Sequence, residues 1–177
     1  RVTLLEKTGR LGQKILLSGK TRCNLTNARD LDHFISMYGP NGRFLYRAFH
    51  KFFREDLVSF LSRYGVKTKI ERGGRVFPVS DRAEDVVRAF KKFLMDHGVK
   101  IYRHSRVTGI ETHNAKVTGV LMAGSRRPAS AVILAAGGLT YPATGSTGDG
   151  YTMASALGHT IIKLRPALVP LVVEEID

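Results

Sequence analysis

The chain has 177 residues with 28 Lys+Arg, 15 Asp+Glu, 43% hydrophobic residues, one Cys and no Trp, which suits a folded globular domain and excludes a disordered or collagen-like chain. No apolar stretch approaches the ~20 residues of a membrane helix, and the single Cys23 cannot build an internal disulfide framework, so the chain reads as soluble and cytoplasmic. The net charge of +13 is concentrated: residues 1–127 hold 26 Lys+Arg and 11 Asp+Glu, and residues 128–177 hold 2 and 4, so the basic block could meet nucleic acid, an anionic surface or a phosphate-rich ligand.

Val2 to Glu6 is a short apolar run ending in an acid, the pattern of a buried strand whose last residue reaches a loop. Polar and turn residues dominate from Leu25 to Asn41. Phe44, Leu45, Ala48, Phe49, Phe52 and Phe53 then recur at three- and four-residue steps, and the spacing restarts after Arg54-Glu55-Asp56 with Leu57, Phe60 and Leu61. This predicts two consecutive helices, or one broken near Arg54, stopped at Gly65. The helical spacing makes the aromatic stripe core rather than a base-stacking platform. Gly73-Gly74 turns the chain before Arg75 to Pro78, and Asp81-x-x-Glu84 predicts a capping box for a helix with Val86, Val87, Phe90, Phe93 and Leu94 on one face, ending at Gly98.

Strand-like runs follow at Lys100 to Tyr102 with Val107 to Ile110, at Val117 to Met122 and at Ala131 to Ala136, with turns at His113-Asn114 and Ser125 to Pro128. They predict an antiparallel meander over 100–136, attached to an α/β unit whose helical segment spans 40–98. At Gly137-Gly138 the backbone must pass close to a neighbour. Gly145-x-x-Gly148-Asp149-Gly150 opens a short helix through Met153, Ala154 and Leu157, stopped by Gly158. After Arg165-Pro166 the run Leu168 to Val173 reads as a strand, so residues 1–165 form a partial domain and 166–177 the start of an inserted second one. With Arg1 leading directly into a strand-like run, the expectation is a chain truncated at both ends.

Several motifs carry chemistry. Ser18-Gly19-Lys20-Thr21 resembles the end of a P-loop, but Lys14 stands where that motif needs its first Gly. Clustered glycines at 145–150 before a helix let amide N–H groups face an anionic or electron-rich ligand, while Asp149 can accept from a hydroxyl. Glu6 stands where a dinucleotide fold puts the acid for the ribose hydroxyls, although the glycine fingerprint that belongs about 20 residues earlier is not in the sequence. Arg22-Cys23-Asn24-x-Thr26-Asn27 gathers donors and acceptors into one loop, which suits a polar ligand or a plain turn. Cys23 next to Arg22 is either a thiol with a lowered pKa or a small buried residue. The six His residues lack Cys partners at zinc spacing, and there is no G-x-S-x-G elbow.

Taken in order, Leu5-Glu6-Lys7, Gly12-x-Lys14, Ser18-Gly19, Arg22-Cys23-Asn24-x-Thr26-Asn27, Gly74 to Pro78, Ile133 to Gly138, Tyr141 to Tyr151 and Leu157 to Thr160 make the chain resemble the HI0933-like flavoproteins. These are bacterial NAD(P)/FAD-dependent oxidoreductases that include bile-acid reductases and aminoacetone oxidase-like proteins. The resemblance implies an FAD-binding, Rossmann-like α/β domain of the two-dinucleotide-binding type with a small antiparallel meander. It implies Glu6 on the adenosine ribose, and Lys14 with Ser18, Gly19, Arg22, Cys23, Asn24 and Thr26 along the pyrophosphate and flavin. Backbone of Val107 would face the adenine, Ala136 and Gly137 would pass close to the cofactor, and Gly148, Asp149 and Gly150 would lie near the flavin end. The implied chemistry is hydride transfer through flavin N5 to or from a small organic substrate, with NAD(P)H as a candidate donor and no assignable catalytic acid or base. Thr21 departs from the family's usual Gly, and Ala136 from a frequent Thr. Neither nucleic acid nor a membrane is an expected partner. The rival readings are a basic nucleic-acid-binding module and, behind it, a P-loop-like nucleotide-binding protein.

Overall fold

The computed structural model describes residues 1–166, so the strand and second domain expected beyond Pro166 lie outside the described residues. The chain divides into two compact units, Arg1–Arg106 and Val107–Asp177.

In the first unit the apolar run becomes strand β1 (Thr3–Leu5), and Glu6 follows it directly. Helix α1 (Gln13–Leu17) leads through a tight loop to β2 (Thr26–Asn27). Asp30 caps α2 (Leu31–Ser36) by accepting from the His33 N–H at 2.9 Å, which satisfies one of the amides a helix start leaves open. A 3-10 turn over Gly39–Leu45 runs into α3 (Tyr46–Lys51), and extended backbone at Phe52 and Phe53 separates it from α4 (Arg54–Arg63). The predicted break near Arg54 is therefore present, and Asp56 closes it by accepting from the Phe53 N–H at 2.8 Å. The strands β3 (Thr68–Glu71) and β4 (Arg75–Pro78) precede α5 (Ala83–Asp96) and β5 (Lys100–Tyr102).

β1 and β5 pair in parallel, Thr3 opposite Lys100 and Leu5 opposite Tyr102, while β4 pairs antiparallel between β2 and β3. The core lies where α4 and α5 meet: Phe60, Leu61, Val66, Ala83, Val86, Ala89 and Cys23 are buried, with Ile15, Leu16 and Phe93 packed on them. Phe60 meets Phe93 edge-on at 5.2 Å between ring centres, a favourable quadrupole arrangement. The aromatic stripe splits. Phe49 and Phe53 both pack edge-on against Phe34 in a smaller cluster, whereas Phe44 is 87% exposed.

Asp81 does not cap α5; the residue preceding that helix is Arg82, and the Asp81 carboxylate is drawn instead into ion pairs with Lys69 and Arg22. A charged partner offers a carboxylate more than an exposed amide does. Lys100 to Tyr102 also leaves the meander, because its backbone pairs with β1.

In the second unit β6 (Val107–His113), β7 (Lys116–Met122) and β8 (Ser125–Pro128) form the antiparallel meander. The β6–β7 hairpin turns on Asn114-Ala115, both at positive φ, the geometry that matches strand twist. The third strand is β8, where the sequence pattern predicts a turn. Met122 pairs with Ser125 around Ala123-Gly124, and the pairing continues to Gly119 opposite Pro128. The apolar run Ala131 to Ala136 joins no ladder among the described residues, and Ile133 is 93% exposed. Strand identity comes from a hydrogen-bonding partner, and apolar composition alone does not supply one. Helix α6 (Asp149–Ala156) is the last helix among the described residues.

Candidate functional site

The expected ligand-binding residues form two groups, one in each unit. In the first, Glu6 sits at the carboxyl end of β1, where parallel strands open toward ligands in α/β sheets. Thr8 fixes it: its backbone N–H and its hydroxyl donate to Glu6 Oε1 at 2.7 and 2.8 Å. Thr8 was not among the expected residues, though a hydroxyl two positions after a strand-end acid is a readable signal.

Lys14 lies exposed within α1, and Ser18 ends that helix, its hydroxyl donating to the Ile15 carbonyl at 2.8 Å. The next residues make an unusual loop. Gly19, Lys20, Thr21 and Cys23 all have left-handed φ, at 58°, 55°, 68° and 63°. Gly19 has no room for a side chain, since a Cβ there would stand 2.7 Å from the Asn24 nitrogen. The Cys23 N–H closes the loop on the Ser18 carbonyl at 2.9 Å. Because Gly19-Lys20-Thr21 follows a helix and leads to β2, it lacks the strand–loop–helix context that a P-loop needs.

Cys23 is buried, and that burial pushes its thiol pKa up despite a hydrogen bond with Ser18, so it is a core residue and not an activated thiolate. Asn24 is exposed at the end of the loop, and Thr26 pairs with Val76 in the sheet. Arg22 turns to protein partners. Its guanidinium forks onto Glu71 (2.7 and 3.1 Å), reaches Asp81 at 3.3 Å and lies 4.0 Å from the centre of the Phe77 ring. The hydrogen bond from Arg22 holds the Glu71 carboxyl below its ordinary pKa.

In the second unit Ala136, Gly137, Gly148 and Gly150 come together. The Gly148 N–H donates to the Gly138 carbonyl at 3.1 Å, and Gly150 faces the Ala136 Cβ. At Gly137 (φ 74°) a Cβ would meet the hydroxyl of buried Ser146 at 2.9 Å. Gly148 starts α6, Asp149 occupies its first turn, and the Thr147 hydroxyl donates to Asp149 Oδ1 at 3.0 Å. Val107 opens β6 opposite Met122, beside a register shift. Chemically, the carboxylate held at the end of β1 can accept from hydroxyl groups, and, separately, the glycine-built start of α6 presents backbone N–H groups.

The HI0933-like protein Rossmann domain matches residues 1–166. The chain belongs to the HI0933-like family. It is 37% identical over 176 residues to the 3-dehydro-bile acid delta(4,6)-reductase of Clostridium scindens, and 31% identical over 180 residues to the ribosomal RNA dihydrouridine synthase of Haemophilus influenzae. Each alignment takes in 99% of this chain, which spans only 42% and 44% of those two relatives. Among solved structures, the L-amino acid deaminase of Proteus myxofaciens aligns at 18% identity and a TM-score of 0.42, over 78% of this chain and 40% of the deaminase. The family match over residues 1–166 gives the HI0933-like chain the Rossmann-like α/β fold that its resemblance implied. No helix among its described residues is long and apolar enough to cross a membrane.

Proposed function

We propose that this HI0933-like protein is an FAD-dependent reductase of carbon–carbon double bonds conjugated to a carbonyl group. The carrying observation is that two relatives with different substrates are named for the same kind of bond change. A 3-dehydro bile acid with double bonds at positions 4 and 6 has them conjugated to its C3 carbonyl, and dihydrouridine is uridine whose ring double bond, conjugated to a carbonyl, has been saturated. Saturating a bond of this kind would take a hydride at the carbon remote from the carbonyl and a proton at its neighbour. Bound FAD supplies the hydride from its reduced flavin, and NAD(P)H is the donor we propose for recharging it.

The chain's own share is binding and orientation. In this reading Glu6, held by Thr8, accepts from the ribose hydroxyls. Lys14, exposed on α1, supplies positive charge to the pyrophosphate. The Ser18–Asn24 loop and Thr26 line the path toward the flavin with backbone and hydroxyl groups, Cys23 contributing as neutral, buried backbone support. Val107 offers backbone groups to the adenine, while Ala136, Gly137 and the Gly148-Asp149-Gly150 helix start meet the flavin end.

The test is spectroscopic. The full-length protein should be yellow or take up added FAD. Its flavin, reduced without oxygen, should reoxidise on mixing with a 4-en-3-one steroid or a uridine-containing RNA, and not with the saturated ketone. A colourless protein that ignores FAD removes the cofactor; a flavin indifferent to every conjugated alkene removes the substrate class.

A second reading concerns the substrate's size. The relative from Haemophilus influenzae is named for ribosomal RNA, and this chain exposes Arg43, Arg47 and Lys51 at four-residue steps along one helical stretch, with Phe44 beside them. That strip suits an RNA carrying the reacting base, in place of a free small molecule.

A further inference from the structure

We propose that Arg22 is a positioning residue that clamps the Ser18–Asn24 loop in its cofactor-receiving shape, and that it does not bind the cofactor's phosphates itself; this rests on the flavin reading of the site. Three observations carry it. The first is strain. Lys20, Thr21 and Cys23 hold left-handed backbone without glycine's freedom, and such residues persist only where their surroundings over-determine them.

The second is what surrounds them. The Arg22 fork closes on both Glu71 oxygens, with Asp81 within reach, and its face lies on Phe77, which is buried on the central strand β4. Phe77 also stands against Gly19, where an added Cβ would come 3.0 Å from the ring. The Ala83 N–H at the start of α5 donates to the Thr21 carbonyl at 3.0 Å. The loop is thus tied to β3, β4 and α5 through residues 19, 21 and 22, and Arg22 contributes the charged ties.

The third is charge. Lys69 completes the cluster, bonding Asp81 at 2.6 Å and approaching Glu71 at 3.4 Å. Two cations and two carboxylates balance, so the cluster presents no net positive charge to a pyrophosphate. A planar guanidinium suits this clamp because it makes a forked pair and a ring contact at once, which an ammonium cannot.

Glu71 separates the alternatives by sign. If Arg22 served the phosphates, Glu71→Gln would free positive charge and leave FAD binding equal or tighter. If Arg22 clamps the loop, Glu71→Gln and Arg22→Gln each weaken it. The experiment titrates FAD into the full-length apo-protein of wild type, both single variants and the double variant. In parallel it follows alkylation of Cys23, the buried thiol inside the loop, by peptide mapping. Each single variant should weaken FAD binding about tenfold, the scale of a lost hydrogen bond to a charged group, and should speed Cys23 alkylation, with the double variant no worse than the singles. Arg22→Lys, which keeps the charge and loses the fork, should fall with Arg22→Gln. Wild-type or tighter FAD binding in Glu71→Gln overturns the clamp, as does unchanged alkylation in both variants. If the wild type takes up no FAD, the flavin reading fails separately, and the alkylation rates still decide whether Arg22 holds the loop.

Discussion

Thr21 holds its backbone at φ 68°, a conformation that crowds the Cβ of any L-residue and is most unusual for a β-branched one. The outward bonds of Thr21 run through its backbone, since its carbonyl accepts from Ala83 and its hydroxyl only reaches back to the Lys20 carbonyl. Thr21→Gly should therefore raise the stability of the folded chain by about 1 kcal/mol, the left-handed penalty less glycine's entropy cost. Urea unfolding checks this, and a lower midpoint would show that the side chain is needed. Glu71 gives a second test. Its folded pKa lies below the unfolded one, so its contribution is complete above the unfolded value of about 4.3 and is lost as pH falls through the folded pKa. The difference in melting temperature between wild type and Glu71→Gln should be constant from pH 7 to about 5 and shrink below about 4. A difference that grows in acid would reverse the sign assigned to the pair. At this scale the sequence showed that residues 22–27 were rich in polar groups, but not where they point. Arg22 meets Glu71 and Asp81 across 49 and 59 residues of chain, a pairing that arises only when β2 and β3 both line up on β4.

Helices α4 and α5 were legible because their apolar residues repeat with the helical period and must all be buried on one side. Leu61 has no exposed surface, and Val86 in the same buried cluster is nearly as enclosed. Leu61→Ala should cost about 2–5 kcal/mol, as the lost transfer energy and the cavity add. Phe44→Ala, at the exposed part of the same aromatic stripe, should change stability by no more than about 0.5 kcal/mol. Paired urea curves decide this, and equal effects would mean that the stripe is not divided between core and surface. Strand β8 was illegible for the complementary reason. Ser125-Arg126-Arg127-Pro128 is polar and ends in proline, the composition of a turn. It is a strand because it borrows the register of β7, and at a sheet edge proline and charge are tolerated. Ala131 to Ala136 shows the reverse, an apolar run with strand-like composition and no ladder among the described residues. The glycines around 137 and 148 were readable as a close approach, but the buried Ser146 hydroxyl that a side chain at 137 would meet was not.

At the scale of the whole molecule, the charge follows the division into units. Arg1–Arg106 holds 23 Lys+Arg and 10 Asp+Glu, while Val107–Asp177 holds 5 of each, so the first unit carries the entire excess. Much of a basic surface is merely solvated, and the Arg22–Lys69 cluster shows that some cations are spent on internal pairs. The strip Arg43, Arg47 and Lys51 differs, because no acidic residue lies between its ends in sequence and all three side chains are exposed. If RNA is the substrate, its phosphates displace counterions from these residues, and affinity must fall steeply with salt. Filter binding of a uridine-rich single-stranded RNA to the full-length protein, from low to physiological salt, should show that fall. Reversing the three charges with Arg43→Glu, Arg47→Glu and Lys51→Glu should flatten the log–log slope by about 2, since each single-strand phosphate contact contributes about 0.7. Flavin content should stay unchanged, because none of the three belongs to the cofactor groups. Salt-independent binding, or none, would remove RNA as the substrate and leave a small conjugated carbonyl compound, for which a cationic strip is of no use.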